Sequence, residues 1–171
     1  MLLRGIDVVV DALTWLAGGV CLLMALHITA DLTARDFFNH PIAGTDEIAT
    51  AYYMVALTFL PLGVITRKRE HIRVMLFTGK ASPVASLWFD IVAAIVTLGF
   101  TAIVTWTSIN VAISKTAIRE VWEASTASGY LAVWPSRWVL VAGFALMCVY
   151  LVINLVRDLR ALRKAGRRSG T

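Results

Sequence analysis

At 171 residues, 58% of them hydrophobic and with a mean hydropathy of +0.74, the chain has too little polar surface to cover a water-soluble globule. Its net charge of +5 and pI near 9.6 do not point to nucleic acid, because the basic residues sit between and after apolar runs rather than along one polar face. The two cysteines, Cys21 and Cys148, each fall inside an apolar run with no second pair, which argues against a thiol-disulfide enzyme.

Four apolar runs, at about residues 8–30, 48–66, 84–108 and 136–156, are each close to the ~20 residues that cross a hydrocarbon core as helix. The expected fold is therefore an all-α membrane protein, a single domain of four transmembrane helices. The first run is longer than the apolar core of a signal peptide and follows Asp7 as well as Arg4, so it is expected to stay as a span. Along it, Asp7, Asp11, Thr14, Gly18, Cys21 and Ala25 recur at steps of four and three and form a narrow small-residue seam, expected to be buried against protein. Asp7 and Asp11 are candidates for ion pairs at the cytoplasmic end, with a solvated helix end as the plain alternative.

The next stretch, from Arg35 to Leu76, holds the densest cluster of unusual residues. Asn39 and Pro41 suit a turn, and Thr45 or Asp46 is expected to cap the second helix, with Asp46 and Glu47 complementing its positive end. Pro61 cannot donate to the carbonyl of Leu57, so a kink is expected there, and Ala49, Ala56 and Gly63 offer a close-packing face. Beyond Thr66 the chain turns basic through Arg67, Lys68, Arg69, His71 and Arg73, which suits an amphipathic segment lying along lipid headgroups.

The third run carries Asp90, Ala94, Thr97, Thr101, Val104 and Ser108 on one seam, and Asp90 is a candidate ion-pair partner for the basic block. Helical spacing continues through Ile109, Ala112, Ala117, Val121 and Ala124, predicting a periplasmic extension of the third helix. Residues 125–129 suit a turn, and Trp134, Pro135 and Trp138 mark the return into the membrane. The fourth run presents Gly143, Met147, Tyr150 and Asn154 on one face, and a basic tail follows at 157–171. The segments after the second and fourth spans, with Arg4, hold twelve of the sixteen Lys and Arg residues, which places both termini in the cytoplasm and membrane lipids among the partners.

No Asp, Glu, Lys, Arg or His lies in the middle third of any span, and no metal-ligand, nucleophile or phosphate-loop motif is present. Neither an ion-coupled carrier acting alone nor a small multidrug exporter fits, since each needs polar groups deep in the bilayer. A haem-bearing or structural anchor of a respiratory enzyme is the rival reading. It would need axial histidines at matching depths, whereas His27 and His40 fall toward the outer side and His71 at the inner side.

One pattern is more specific. Arg35, Phe38, Asn39, Pro41, Gly44, Thr45 and Glu47 enter a helix that ends about twenty residues later in Arg67, His71 and Ile72. This resembles the small membrane subunit, of DctQ type, of tripartite ATP-independent periplasmic (TRAP) transporters, and the four-span layout extends the likeness over nearly the whole chain. The resemblance implies no enzyme and no cofactor. It implies a scaffold in the bacterial inner membrane that braces a large multispanning subunit bearing the substrate and sodium sites, while a periplasmic substrate-binding protein delivers an organic anion, a carboxylate. Arg35, Asn39, Pro41, Glu47, Arg67 and His71 are the partner or scaffold contacts it implies. Met75 stands where the family often has an acid, so that acid's contact is not carried over.

Overall fold

The computed structural model describes residues 2–68, 83–123 and 130–168, and within these the chain is four long helices and one small hairpin. The first helix runs Leu2–Phe38, the second occupies Thr45–Lys68, the third Pro83–Ala117 and the fourth Trp134–Arg168. All four are long and apolar enough to cross a membrane. The 37 residues of the first helix would measure about 55 Å, well beyond the ~30 Å of a hydrocarbon core, so polar ends project from an apolar middle. Three helices mark that middle in the same way: Asp11 to Asp31, Glu47 to Arg67 and Arg137 to Arg157 are each twenty positions apart, about 30 Å along a helix.

The fourth helix is the hub. It packs along the third and against the second, while the first leans on the second. The fourth helix presents Val141, Gly143, Tyr150, Leu151 and Asn154 inward, the face that the sequence periodicity picks out. A Cβ on Gly143 would lie 2.3 Å from the carbonyl oxygen of Phe59, so only glycine admits this approach of backbone to side-chain position. Gly63 is nearly as tight, with Val10 side-chain carbons 3.1 and 3.2 Å from the place its Cβ would take. The first helix reaches the fourth near the chain termini, where Val10, Val64 and Tyr150 form a core with Ile6, Leu146 and Ile153 around it.

The second helix is not uniform. Its first turn, Thr45–Ile48, passes into a π-helical stretch, Ala49–Tyr53, then α-helix over Met54–Phe59, a turn at 60–61, and α-helix again over Leu62–Lys68. The break falls at Pro61, as its missing N–H requires. The π-helical widening has no signature in the sequence; it contains Tyr52 and Tyr53, whose contacts are described below.

The structure refines several expectations. Within this chain the seam of the first helix is not covered along its length: Val10, Ala17 and Asp31 are buried, while Gly18, Cys21 and Ala25 are exposed, because this helix has a full neighbour of its own chain on one side only. The third helix does extend beyond residue 108, but it stops at Ala117 instead of running to Ala124. Arg119 adopts a left-handed φ of 47°, which ends the helix, and Val121–Glu123 then pairs antiparallel with Tyr130–Ala132 as a two-stranded ribbon, β1 and β2. No side chain caps the second helix: Gly44, at φ 84°, takes the cap position, and the Thr45 hydroxyl donates backward to the Ile42 carbonyl at 3.0 Å. Each helix continues beyond its apolar run at both ends. The amphipathic segment with His71, the partners Arg69 and Arg73 expected for Asp90, and the turn at 125–129 lie outside the described residues.

Candidate scaffold contacts at the two ends of the bundle

At the end that carries both termini, one arginine gathers three helices. Arg67, in the last turn of the second helix, donates to both carboxylate oxygens of Asp11, one of them at 3.1 Å, and lies 3.6 Å from a carboxylate oxygen of Asp7. Tyr150 of the fourth helix donates to Asp7 at 2.7 Å. At the residue just before Arg67, the buried amide of Asn154 donates to the Thr66 carbonyl at 2.9 Å. The arginine side chain is 24% exposed and its carboxylates more so, and a forked guanidinium bonding a carboxylate through two nitrogens is the strong form of such a contact. The structure thus brings Asp7, Asp11 and Arg67 together. Asp90 sits half-buried near the start of the third helix.

At the opposite end, the link between the first two helices is folded back and pinned. Asn39 takes a left-handed φ of 51° and donates its N–H to the Arg35 carbonyl at 3.1 Å, the geometry of a left-handed helix cap. This gives Asn39 a physical role that a turn propensity alone does not specify. Asp31, which is 3% exposed, accepts the Ile42 N–H at 2.7 Å with one oxygen and meets the Arg35 guanidinium at 2.9 Å with the other. Arg35 also lies 3.7 Å from Asp46. Pro41 follows His40 in the exposed part of the link, and its carbonyl lies 3.2 Å from His40 Nδ1. Glu47 is half-buried and has no hydrogen bond or ion pair among the described residues. The acids that hold Arg35 are therefore Asp31 and Asp46.

Consecutive tyrosines in the π-helical stretch serve different neighbours. The Tyr53 hydroxyl lies 3.1 Å from His27 Nδ1 on the first helix, with the rings edge to face, and Thr45 Oγ1 lies 3.5 Å from His27 Nε2. Both nitrogens of His27 are thereby engaged, an arrangement that leaves neither directed at an axial metal position. The Tyr52 hydroxyl donates the other way, to the Ala132 carbonyl of the hairpin. Adjacent side chains on a helix point about 100° apart, so the two tyrosines reach partners on separate elements.

The link between the third and fourth helices has its own ion cluster. Glu120 accepts from Arg137 at 2.6 and 2.9 Å and pairs with Lys115 at 2.9 Å, while its carbonyl accepts the Val133 N–H at 3.0 Å. The Arg137 hydrogen bonds, with Lys115 next, hold the Glu120 carboxyl down to about 2. The Trp138 indole donates to Thr116 at 3.0 Å beside it. Sequence reading passed over Asp31 and Glu120. Asp31 carried a signal, being an acid four residues before Arg35 on one helix face, whereas Glu120 looked like one charge among several on an amphipathic face.

Ion pairs found, among the described residues, only toward the two ends of an apolar four-helix body define a multi-pass membrane protein whose side chains tie its own helices together. Residues 24–161, most of the chain, match the family described as tripartite ATP-independent periplasmic transporters, DctQ component. The chain belongs to that family and is a small subunit of a TRAP transporter. Neither curated proteins nor solved structures give a match.

Proposed function

We propose that the chain is a non-catalytic scaffold subunit that braces the large membrane subunit of a sodium-coupled TRAP transporter taking up an organic anion, a carboxylate delivered by a periplasmic substrate-binding protein. Its place is the bacterial inner membrane, with both termini and the basic tail in the cytoplasm beside lipid headgroups, as the distribution of Lys and Arg favours. One observation carries the reading: charged groups stand only toward the ends of the spans, about 30 Å apart in three of them, and no Asp, Glu, Lys, Arg or His lies in the middle third of any span to bind or relay a substrate or ion. The family's other subunits supply what this chain lacks.

In this reading Arg67 and the carboxylates beside it fix the cytoplasmic end, and Arg35 and Asn39 fix the periplasmic end. Glu47, Pro41 and His71 remain for contact with other subunits. The exposed apolar faces of the first and third helices, with Trp15, Leu22, Phe100 and Trp106 among their residues, support burial against lipid or the large subunit.

The decisive experiment is co-expression with the large subunit followed by purification on a tag carried by this chain alone. Recovery of both chains, and sodium-dependent uptake only when both are present, is the expected result. A stable oligomer of this chain that transports by itself would overturn the scaffold role. Normal uptake and normal subunit levels in Glu47→Ala and His71→Ala cells would remove those two residues from the essential contacts.

A further inference from the structure

The turn that ends the third helix is built on a residue that does not suit it. Two nested backbone hydrogen bonds close the helix, from the Glu120 N–H to the Lys115 carbonyl at 3.0 Å and from the Arg119 N–H to the Thr116 carbonyl at 3.1 Å. This pairing is the Schellman motif, whose left-handed position favours glycine because a Cβ crowds the backbone there. Here that position belongs to Arg119, at φ 47°. The other two left-handed residues among those described, Asn39 and Gly44, are of types that tolerate the conformation. A residue held against its steric preference directs attention to what its side chain does.

Within the chain the Arg119 side chain ties nothing. The neighbouring acid, Glu120, has both carboxylate oxygens taken by Arg137 and Lys115. Arg119 is exposed, and its guanidinium has no hydrogen bond or ion pair among the described residues. Its surroundings are apolar. Ile118 and Val121, before and after it in the chain, are 68% and 48% exposed. Trp138 is 41% exposed and belongs to the same turn, because the Thr116 hydroxyl accepts its indole N–H while the Thr116 carbonyl accepts the N–H of Arg119.

The depth of this turn follows from its ion pairs. Arg137 stands twenty positions before Arg157, so it marks one end of an apolar stretch about 30 Å long. Glu120, bonded to Arg137, lies at the same level, and Arg119 is next to Glu120 in the chain. That level is where hydrocarbon gives way to headgroups. Tryptophan is favoured there, and an arginine stem can lie along apolar surface while its head reaches outward. The anion available at that depth is the lipid phosphate, whose oxygens match the guanidinium fork.

We infer that Arg119 is a headgroup ligand: its guanidinium binds the phosphate of a phospholipid at the end of the bundle away from the termini, while Ile118, Val121 and Trp138 lie in the adjoining acyl layer. The link between the third and fourth helices is thereby moored to the membrane surface instead of standing in water. This needs only that the chain spans a membrane, and it holds whichever way the bundle is oriented.

The test places a nitroxide at Val121→Cys in a complex otherwise free of cysteine, with Cys21→Ala and Cys148→Ala in this chain. The chain is purified on its own tag with the subunits that accompany it and moved into nanodiscs of phosphatidylethanolamine and phosphatidylglycerol. Collisions with oxygen, which enters hydrocarbon, and with a water-soluble nickel chelate then report depth. The parent chain is expected to give a label reached by both, as at headgroup level. Arg119→Gly should raise nickel collisions severalfold relative to oxygen, although glycine suits the turn and the melting temperature should not fall. Arg119→Lys should stay near the parent depth, since an ammonium also binds phosphate. In maltoside micelles, which hold no phosphate, the parent and Arg119→Gly should be alike. A parent label reached by nickel alone would put the link in water, and one reached by neither would put it against another subunit. Either result overturns the inference. So does an Arg119→Gly label at the parent depth in phospholipid, or a difference between the two chains that persists in maltoside.

Discussion

The two ends of the bundle are fastened by different means. At the end holding the termini, the ties run between residues far apart in the chain: Arg67 to Asp11, Tyr150 to Asp7 and Asn154 to Thr66. At the opposite end they run mostly within one connection, Asp31 to Arg35 and Ile42 in the first and Glu120 to Lys115 and Arg137 in the second, and Tyr52 to Ala132 bridges the two. Connectivity explains the contrast. Short links already hold the first helix to the second and the third to the fourth at the far end, so side chains there only need to stiffen what is covalently joined. No link joins the first helix to the fourth near the termini, and side chains alone must close that end.

The largest test of this contrast is Arg67→Met. Removing the guanidinium leaves Asp7 and Asp11 side by side with only Tyr150 to receive them, so the first helix should detach at one end. The loss of stability is expected to exceed that from removing one neutral hydrogen bond, because two carboxylates lose their shared cation, and to stay below that of a buried pair, because the groups are partly exposed. Denaturant titration in mixed micelles measures it. Adding Asp11→Asn to Arg67→Met should cost little more, since the two share one interaction. An additive double mutant would mean that the staple is not a unit.

Tyr52→Phe comes next. It deletes one hydroxyl and leaves the Ala132 carbonyl to water or to nothing, an expected cost of about 1 kcal/mol. The more telling readout is local: amide exchange of the hairpin should speed up while exchange around Arg67 stays unchanged. Equal effects at both ends would show that the far end is not fastened in separate halves.

These two sites also show what a sequence can and cannot disclose. Span positions, the break at Pro61, the inward face of the fourth helix and Asp7 and Asp11 as ion-pair candidates were legible, because each follows from periodicity or from where charge can sit relative to a bilayer, whereas Arg67 did not stand out as their partner. Asp11 and Arg67 are 56 positions apart, yet both had to lie at one membrane edge. The π-helical stretch was not legible, and neither were the contacts of Tyr52 and Tyr53, whose partners lie 80 and 26 positions away. The first-helix seam shows a related limit: small residues show that a close neighbour is acceptable, and only the packing shows that this chain supplies one at Val10 and Ala17 and none at Gly18, Cys21 and Ala25. Val121 to Glu123 illustrates a third limit. Helical spacing over a few residues competes with a left-handed Arg119 and a pairing partner further on, and the pairing decides.

The smallest expected effect separates the ion clusters by pH. Glu120 has its pKa depressed from 4.5 to about 2, first by the Arg137 hydrogen bonds and then by Lys115. A carboxyl depressed on folding contributes stability that is fully present above its unfolded value and is lost as pH falls through the folded value, so the window lies between about pH 4.5 and 2. Within that window protonation of Glu120 releases Arg137 and Lys115, both of which stay charged, and the hairpin should loosen from the start of the fourth helix. Glu120→Gln should show the loosened exchange pattern at neutral pH and no further change in the hairpin on acidification. If the wild-type hairpin and Glu120→Gln respond alike between pH 5 and pH 2, roughly the span set by the two values, then the connection is held by its backbone pairing and by Tyr52, and the charges at this end only trim it.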